Sequence, residues 1–581
     1  MIAQGEYTEA YLLNRQSNVF PGILGRTCDR PCEPACRRTR VDGQAVAICR
    51  LKRVASDLRD EDLSERLPKA PANKNGKRIA LIGAGPASLT VANDLAPLGY
   101  EVTIFEKLGR PGGLMRSNIP SFRLPESVLD DEIGMILGMG VDIRYNSPVT
   151  SMKSLLTEGY DAVFVGSGAP KGKELDLPGR KEASANVHIG IQWLESVAFK
   201  HIDKIGKRVL IIGVGNTAMD CCRTSRRLGG TDIKVMARRP RGFFKASPWE
   251  LEDAEEEQIE ILVNHAPKSF VLEAGKLTGM MFEQLEWATD EKGQTTKSKV
   301  VGEVFLPADD VILAIGQEGS FPYIERDIGL AFDKWGMPVV DKVTHASTLP
   351  GVFFGGDAAW GPENIIWAVA HGHAAAISID NHCRGIAVTE RPPVGMNLLT
   401  QKMGIHEWSY SNDYNPAKRQ KMKHVDLAER FAKMNIEVEM GFSAEQTARE
   451  VERCLNCDIE TVFTAQKCIE CDACIDICPT HCLTITPDAE EADLRKRLTV
   501  PAINAKQDLY VSTSLPQTKR LMIKDEDMCV HCGLCAERCP TAAWDMQKFD
   551  LVLPSAGRSG LGQGGGAGVQ GVPIKKVASS I

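Results

Sequence analysis

The chain has 581 residues, 43% hydrophobic and 25% charged, with a formal net charge of -7; this length predicts several domains with ample buried core. No run approaches the ~18 consecutive apolar residues of a membrane span, and the opening MIAQGEYTEAYLLNR lacks the basic and apolar regions of a secretory signal, so a cytoplasmic protein is expected. The acidic balance leaves no basic footprint for nucleic acid or anionic membrane, and ELEDAEEEQIEI (250–261) reads as a solvated helix face.

Residues 1–70 read as short helices around Cys28, Cys32, Cys36 and Cys49, and PKAPANKNGK (68–77) is a linker by its composition. From Lys77 strand-like runs alternate with helices: RIALIGAG, a helix from Pro86, EVTIFEK; then KRVLIIGVG, a helix from Asn216, DIKVMARR. The fold class is α/β, with a parallel, doubly wound Rossmann-like sheet built twice. The expected boundaries are a flavin-type domain at 77–200 and 316–390, enclosing a second nucleotide domain at 201–315. Residues 391–450 read as a polar surface connector, 451–552 as a cysteine-rich α+β domain with an insertion near 486–522, and 553–581 as a flexible Gly-rich tail.

Gly83 and Gly85 lie between a strand and a helix that begins Pro86-Ala87. Such glycines permit a tight turn and let backbone N–H groups approach a pyrophosphate at the helix N-terminus. Glu106, at the end of the next strand, is placed to accept from ribose hydroxyls. Gly213, Gly215, Asn216, Thr217 and Ala218 repeat the device, but here the second strand ends in Arg238 and Arg239. Cations in place of an acid favour the 2′-phosphate of NADPH; the alternative is a solvated strand end.

Several further segments carry a family resemblance. GRTCDRPCEPACRR (25–38), LIGAGPASL, GRPGGLMRSNIPSFRLP (109–125), IIGVGNTAMDCCRT (211–224), ILAIGQ (312–317) and GVFFGGDAAWGPENIIWAVAHGHAAA (351–376) resemble the small-subunit type of glutamate synthase and the flavin domain of dihydropyrimidine dehydrogenase. The resemblance implies FAD on the first turn and NADPH on the second. It also implies that Gly113 and Leu114 line the flavin, while Gly356 and Asp357 hold its ribityl and phosphate portion. Asn118 and Val214 depart from the family's usual glycines. His371 and His373 follow the GGD segment, where a structural or flavin-edge role is expected rather than acid–base catalysis.

The eighteen cysteines cluster at the two ends of the chain. Cys468, Cys471, Cys474 and Cys478 with Pro479, and Cys529, Cys532, Cys535 and Cys539 with Pro540, follow C-x2-C-x2-C-x3-C-P twice. In that bacterial ferredoxin pattern the fourth cysteine ligates the other cluster. One 4Fe-4S cluster should therefore use Cys468, Cys471, Cys474 and Cys539, and the other Cys529, Cys532, Cys535 and Cys478. Cys28, Cys32, Cys36 and Cys49 supply thiolates for one more, with zinc as the alternative. Cys454 and Cys457 are left open between a further cluster and no ligation. Cys221, Cys222, Cys383 and Cys482 read as buried inert thiols.

A nicotinamide gives up two electrons as hydride, a cluster takes one, and flavin handles both. The expected protein is an NAD(P)H-dependent FAD and iron–sulfur oxidoreductase, an electron-transfer subunit in which no side chain acts as nucleophile or general base. The preferred partner is a thiamine-dependent 2-oxoacid:ferredoxin oxidoreductase within a hetero-oligomeric complex. The alternatives are a glutamate synthase large subunit, a free NADPH:ferredoxin oxidoreductase, or a scaffold with structural clusters.

Overall fold

The computed structural model describes residues 1–289, 295–392, 395–400, 415–487, 495–496 and 509–557. Arg78–Ile82 is apolar and buried from Ile79 onward, as a strand covered on both faces must be. It lies at the centre of an all-parallel sheet with Val352–Phe354 and Ala162–Val165 on one side and Glu101–Phe105 and Asp142–Arg144 on the other. Between the last two strands to join in sequence, a second parallel sheet is inserted. Its order is Val187–Ile189, Asp310–Leu313, Arg208–Ile212, Asp232–Met236, Glu260–Leu262.

Three antiparallel strands, His265–Glu273, Lys276–Thr289 and Thr295–Pro307, are an addition to the expected strand–helix alternation. Their middle strand carries a period-two pattern in which Met280 and Phe282 are fully buried.

The N-terminal helices Tyr7–Asn18, Pro21–Thr27 and Ile48–Asp57 dock on the first sheet's layer through Glu132. Its carboxyl accepts from Gly22 N (2.7 Å), Ile23 N (2.9 Å) and the Tyr11 hydroxyl (3.0 Å). Carboxylate oxygens thus satisfy free N–H groups at a helix start, although burial pushes Glu132 up to about 7.

Three expectations are corrected. The acidic run 250–261 is a solvated face only in part: Glu252, Glu255, Glu256 and Glu260 are exposed, but Glu250 and Glu257 are 4% and 0% exposed. Arg223 pairs with Asp253 (3.0 Å) and Glu257 (2.9 Å), and Arg227 with Glu257 (2.7 Å). Arg123, from the flavin-side unit, reaches Asp220 (2.6 Å) and Glu250. Buried carboxylates of this kind persist because each is paired.

The connector is more than a surface wrap. Gly395–Thr400 pairs with Trp544–Val552, while Glu437 and Glu439 bind Arg26, Arg53 and Arg50 of the N-terminal helices. The tail begins docked, since Gly557 N donates to Asp380 Oδ2 at 3.1 Å; the rest of the expected tail, 558–581, lies outside the described residues.

Of the expected insertion, 488–494 and 497–508 also lie outside them. Its flanks form Tyr510–Val511 and Leu521–Lys524, which pair antiparallel, the latter also with Leu483–Thr486. No helix among the described residues is long and apolar enough to cross a membrane.

Candidate functional site

Four segments meet at the start of the helix Pro86–Leu95. Gly83 has φ 89°, and a Cβ there would sit 2.9 Å from the Gly166 carbonyl oxygen, so only glycine serves. Gly85 caps the helix and Pro86 occupies its first turn. Gly113 comes so near Gly85 that a Cβ would lie 2.9 Å from its Cα, and Gly112 N donates to Ala84 O at 2.9 Å. Gly356, with φ 59°, faces Ala87, whose Cβ would be 3.3 Å from an added one.

Leu114 opens a short helix beside this turn. Glu106 is 4% exposed and accepts from Ala84 N (2.7 Å) and Leu108 N (2.8 Å); burial raises its carboxyl. Asp357 accepts from Glu363 N at 3.0 Å, and burial pushes it up to about 6. Free helix N–H groups, close-approach glycines and an inward carboxylate form a cradle that fits a flavin dinucleotide.

His371 packs its ring against His345, Trp360 and Trp367 next to the GGD segment, with no hydrogen bond to an acid among the described residues. His373 ties helices together through Asp94 (2.6 Å) and Ser17 O (3.2 Å). Asn118, the departure from family glycine, donates to Ile191 O at 3.1 Å and so links the two nucleotide units.

At the second turn Gly213 has φ 121°, and a Cβ would fall 2.3 Å from Ala314 O. Gly215 caps Asn216–Arg227, whose Ala218 is fully buried and whose Thr217 is half-buried. Asn216 Oδ1 accepts from Ser247 N at 2.8 Å, and Val214 O accepts from Lys245 N and Ala246 N. This loop shapes the rim of the turn and was not legible as part of it. Arg238 and Arg239 are exposed at the end of the next strand, with Arg239 over the Phe243 and Trp287 rings. Cys221 and Cys222 are fully buried.

The ferredoxin-type cysteines line two separate cavities. Cys468, Cys471, Cys474 and Cys539 face one, and Cys529, Cys532, Cys535 and Cys478 face the other together with Cys482. Each cavity thus draws three thiols from one run and the fourth from the other, a donor set that fits a 4Fe-4S cubane.

In the N-terminal unit Cys28 is within electrostatic reach of Cys32 and Cys49, while Cys36 is within reach of Cys454 and Cys457. Arg38 fixes that second group by donating to Arg453 O at 3.2 Å. Sequence reasoning missed the junction built by the next residues. Arg37 donates to the carbonyls of Glu526 and Cys529, the latter at 2.8 Å, and Arg40 to the same two at 3.0 and 3.3 Å. The N-terminal cysteine unit is therefore clasped to the backbone of a ferredoxin-type cysteine.

Family models agree with this division. One described as pyridine nucleotide-disulphide oxidoreductase matches residues 77–372, one described as 4Fe-4S dicluster domain matches 467–543, and one described as dihydropyrimidine dehydrogenase domain II, 4Fe-4S cluster, matches 1–63. The chain is 35% identical over 486 residues to the NADP(+)-dependent formate dehydrogenase subunit beta of Moorella thermoacetica, covering 78% of this chain and 68% of that one. It is 32% identical over 487 residues to the NADPH-Fe(3+) oxidoreductase subunit beta of Geobacter sulfurreducens, covering 78% and 72%. To the glutamate synthase [NADPH] small chain of Azospirillum brasilense it is 32% identical over 411 residues, covering 68% and 84%. The resemblance drawn from the motifs is thus borne out.

Proposed function

This chain belongs to the pyridine nucleotide-disulphide oxidoreductase family, and we propose that it is the electron-transfer subunit of a larger redox complex, passing electrons between NADP(H) and a partner enzyme. It is an oxidoreductase that uses FAD, NADPH and 4Fe-4S clusters. The bound flavin supplies the conversion between two-electron hydride and single electrons.

The chain's own residues hold, orient and insulate. Gly83, Gly85, Pro86, Ala87, Gly113, Leu114, Gly356 and Asp357 cradle the FAD, with Glu106 on its ribose. Gly213, Gly215, Asn216, Thr217 and Ala218 receive the NADPH pyrophosphate, and Arg238 and Arg239 its 2′-phosphate. The crossed cysteine sets hold two clusters, and the N-terminal cysteines hold iron–sulfur on the flavin side.

The observation that carries this reading is the junction of Arg37 and Arg40 with the Glu526 and Cys529 carbonyls. It joins the N-terminal cysteine unit, which docks on the flavin side through Glu132, to the ferredoxin-type domain, as a relay requires and a structural scaffold does not. The name of the Moorella relative supports a formate-oxidising partner ahead of the 2-oxoacid:ferredoxin oxidoreductase or glutamate synthase large subunit weighed from the motifs. Anaerobic titration of the purified chain with NADPH and with NADH, followed by flavin absorbance and electron paramagnetic resonance, tests it. Bleaching by NADPH and then reduced-cluster signals are expected; flavin that neither nucleotide bleaches would overturn the assignment. Untagged subunits that co-purify, assayed with formate and with 2-oxoacids, identify the partner.

A further inference from the structure

The two ferredoxin-type cavities are built as near copies. Cys478-Pro479-Thr480-His481-Cys482 answers to Cys539-Pro540-Thr541-Ala542-Ala543. The threonine hydroxyl lies 3.8 Å from the Cys478 sulfur in one and 3.7 Å from the Cys539 sulfur in the other. The backbone N–H four residues on donates to the same sulfurs, from Cys482 at 3.4 Å and from Ala543 at 3.2 Å. At the other end of each run Glu470 N donates to Cys468 Sγ at 3.3 Å and His531 N to Cys529 Sγ at 3.4 Å. The backbone donors are matched pair by pair.

The match breaks at one side chain. Position 482 is cysteine where position 543 is alanine. Cys482 is 4% exposed, its Sγ is 3.4 Å from Cys478 Sγ, and it lines the same cavity as Cys478 and Cys529. Those two thiols belong to one cavity, which Cys532 and Cys535 complete. A cubane takes four thiolates, so the fifth thiol has no iron to bind. A neutral thiol 3.4 Å from a ligating sulfur has one electrostatically sensible role, that of donor.

We propose that Cys482 is a positioning residue whose S–H donates to the ligating sulfur of Cys478, holding that cluster at a higher reduction potential than its twin. The proposal rests on the cluster assignment above. Hydrogen bonds to cluster sulfurs offset the negative charge gained on reduction. The charged linings add little to the contrast, because Lys524 of this cavity pairs with Glu526 at 2.7 Å and Glu470 of the other with Arg520 at 3.0 Å. The cavity with the lower potential is the one with exposed Ile469 and Cys471 at its rim, and the one with the higher potential touches the N-terminal unit. The gradient therefore runs from the outer rim towards the nucleotide half, the direction that reduces NADP.

The experiment is a redox titration of the full cluster-loaded chain by electron paramagnetic resonance, with iron analysis, for wild type, Cys482→Ala, Cys482→Ser and Ala543→Cys. Cys482→Ala should keep its iron while one ferredoxin wave moves negative. The expected size is about a tenfold fall in the reduced-to-oxidised ratio at fixed poise, about 59 mV for one electron. Cys482→Ser, which keeps a donor, should stay nearer wild type, and Ala543→Cys should move the other wave positive. Unchanged midpoints in both Cys482→Ala and Ala543→Cys would overturn the proposal. So would loss of a cluster's iron in Cys482→Ala, which would make Cys482 a ligand. A wild-type chain without 4Fe-4S signals would instead overturn the cluster assignment itself.

Discussion

Arg123→Met should loosen the joint between the two nucleotide units more than any surface change could. The guanidinium leaves the flavin-side unit to reach Asp220, on the helix after the second glycine turn, and Glu250, on the helix Pro248–Glu256. The three side chains are 12%, 7% and 5% exposed, so the substitution strands two buried carboxylates. Breaking a buried pair in this way costs about 3–5 kcal/mol, against ~1 kcal/mol or less for an exposed pair. Arg223 remains 3.7 Å from Glu250 and shields it in part, which argues for the low end, about 3 kcal/mol. For a unit of this size that is a melting-temperature fall of roughly 6–12 °C. Thermal unfolding of the flavin-loaded chain measures the fall, and stopped-flow bleaching by NADPH should slow with it, because the joint orients one nucleotide against the other. The triple variant Arg123→Met, Asp220→Leu, Glu250→Leu should recover much of the loss, since a whole ion set can be replaced by apolar packing. A single-variant loss under ~1 kcal/mol would refute the argument.

Gly213→Ala should abolish NADPH-driven bleaching while leaving flavin content intact, because its Cβ collides with Ala314 O at 2.3 Å and φ is 121°; absorbance before and after nucleotide separates the two effects. Arg238→Ala with Arg239→Ala should lower kcat/KM for NADPH by about 10- to 100-fold, from the ~1.5–3 kcal/mol of a charge-assisted hydrogen bond, and leave NADH unchanged. Equal losses with both nucleotides would make these arginines a mere strand end. Glu132, raised from an ordinary 4.5 to about 7 by burial, binds its proton more tightly folded than unfolded. Its contribution is full below pH ~4.5 and is lost as pH rises through about 7, a change of about 3 kcal/mol in all. Stability of wild type minus Glu132→Gln should fall across that window, and a flat difference in denaturant titrations at pH 5 and pH 8 would contradict it.

What the sequence disclosed was local chemistry. Gly83 with Gly85, Gly213 with Gly215, and the two C-x2-C-x2-C-x3-C-P runs each declare themselves within a dozen residues, because a turn or a ligand loop is built from neighbours. The joints were invisible for the converse reason. Arg37 meets Cys529 across 492 positions and Arg26 meets Glu437 across 411, and nothing in a basic or acidic residue says which distant partner it will face. The acidic run at 250–261 shows the cost of judging charge by composition: four of its carboxylates are solvated as the sequence suggests, but Glu250 and Glu257 are buried because Arg123, Arg223 and Arg227 arrive from elsewhere in the chain. Cys482 is the sharpest instance. Beside four motif cysteines it looks like a bystander, and the feature that sets it apart was present all along in Ala543, its counterpart in the second run. Comparing the two runs position by position would have flagged the asymmetry; only the fold, by setting the Cys482 thiol 3.4 Å from the ligating sulfur of Cys478, gives that asymmetry an electrochemical meaning.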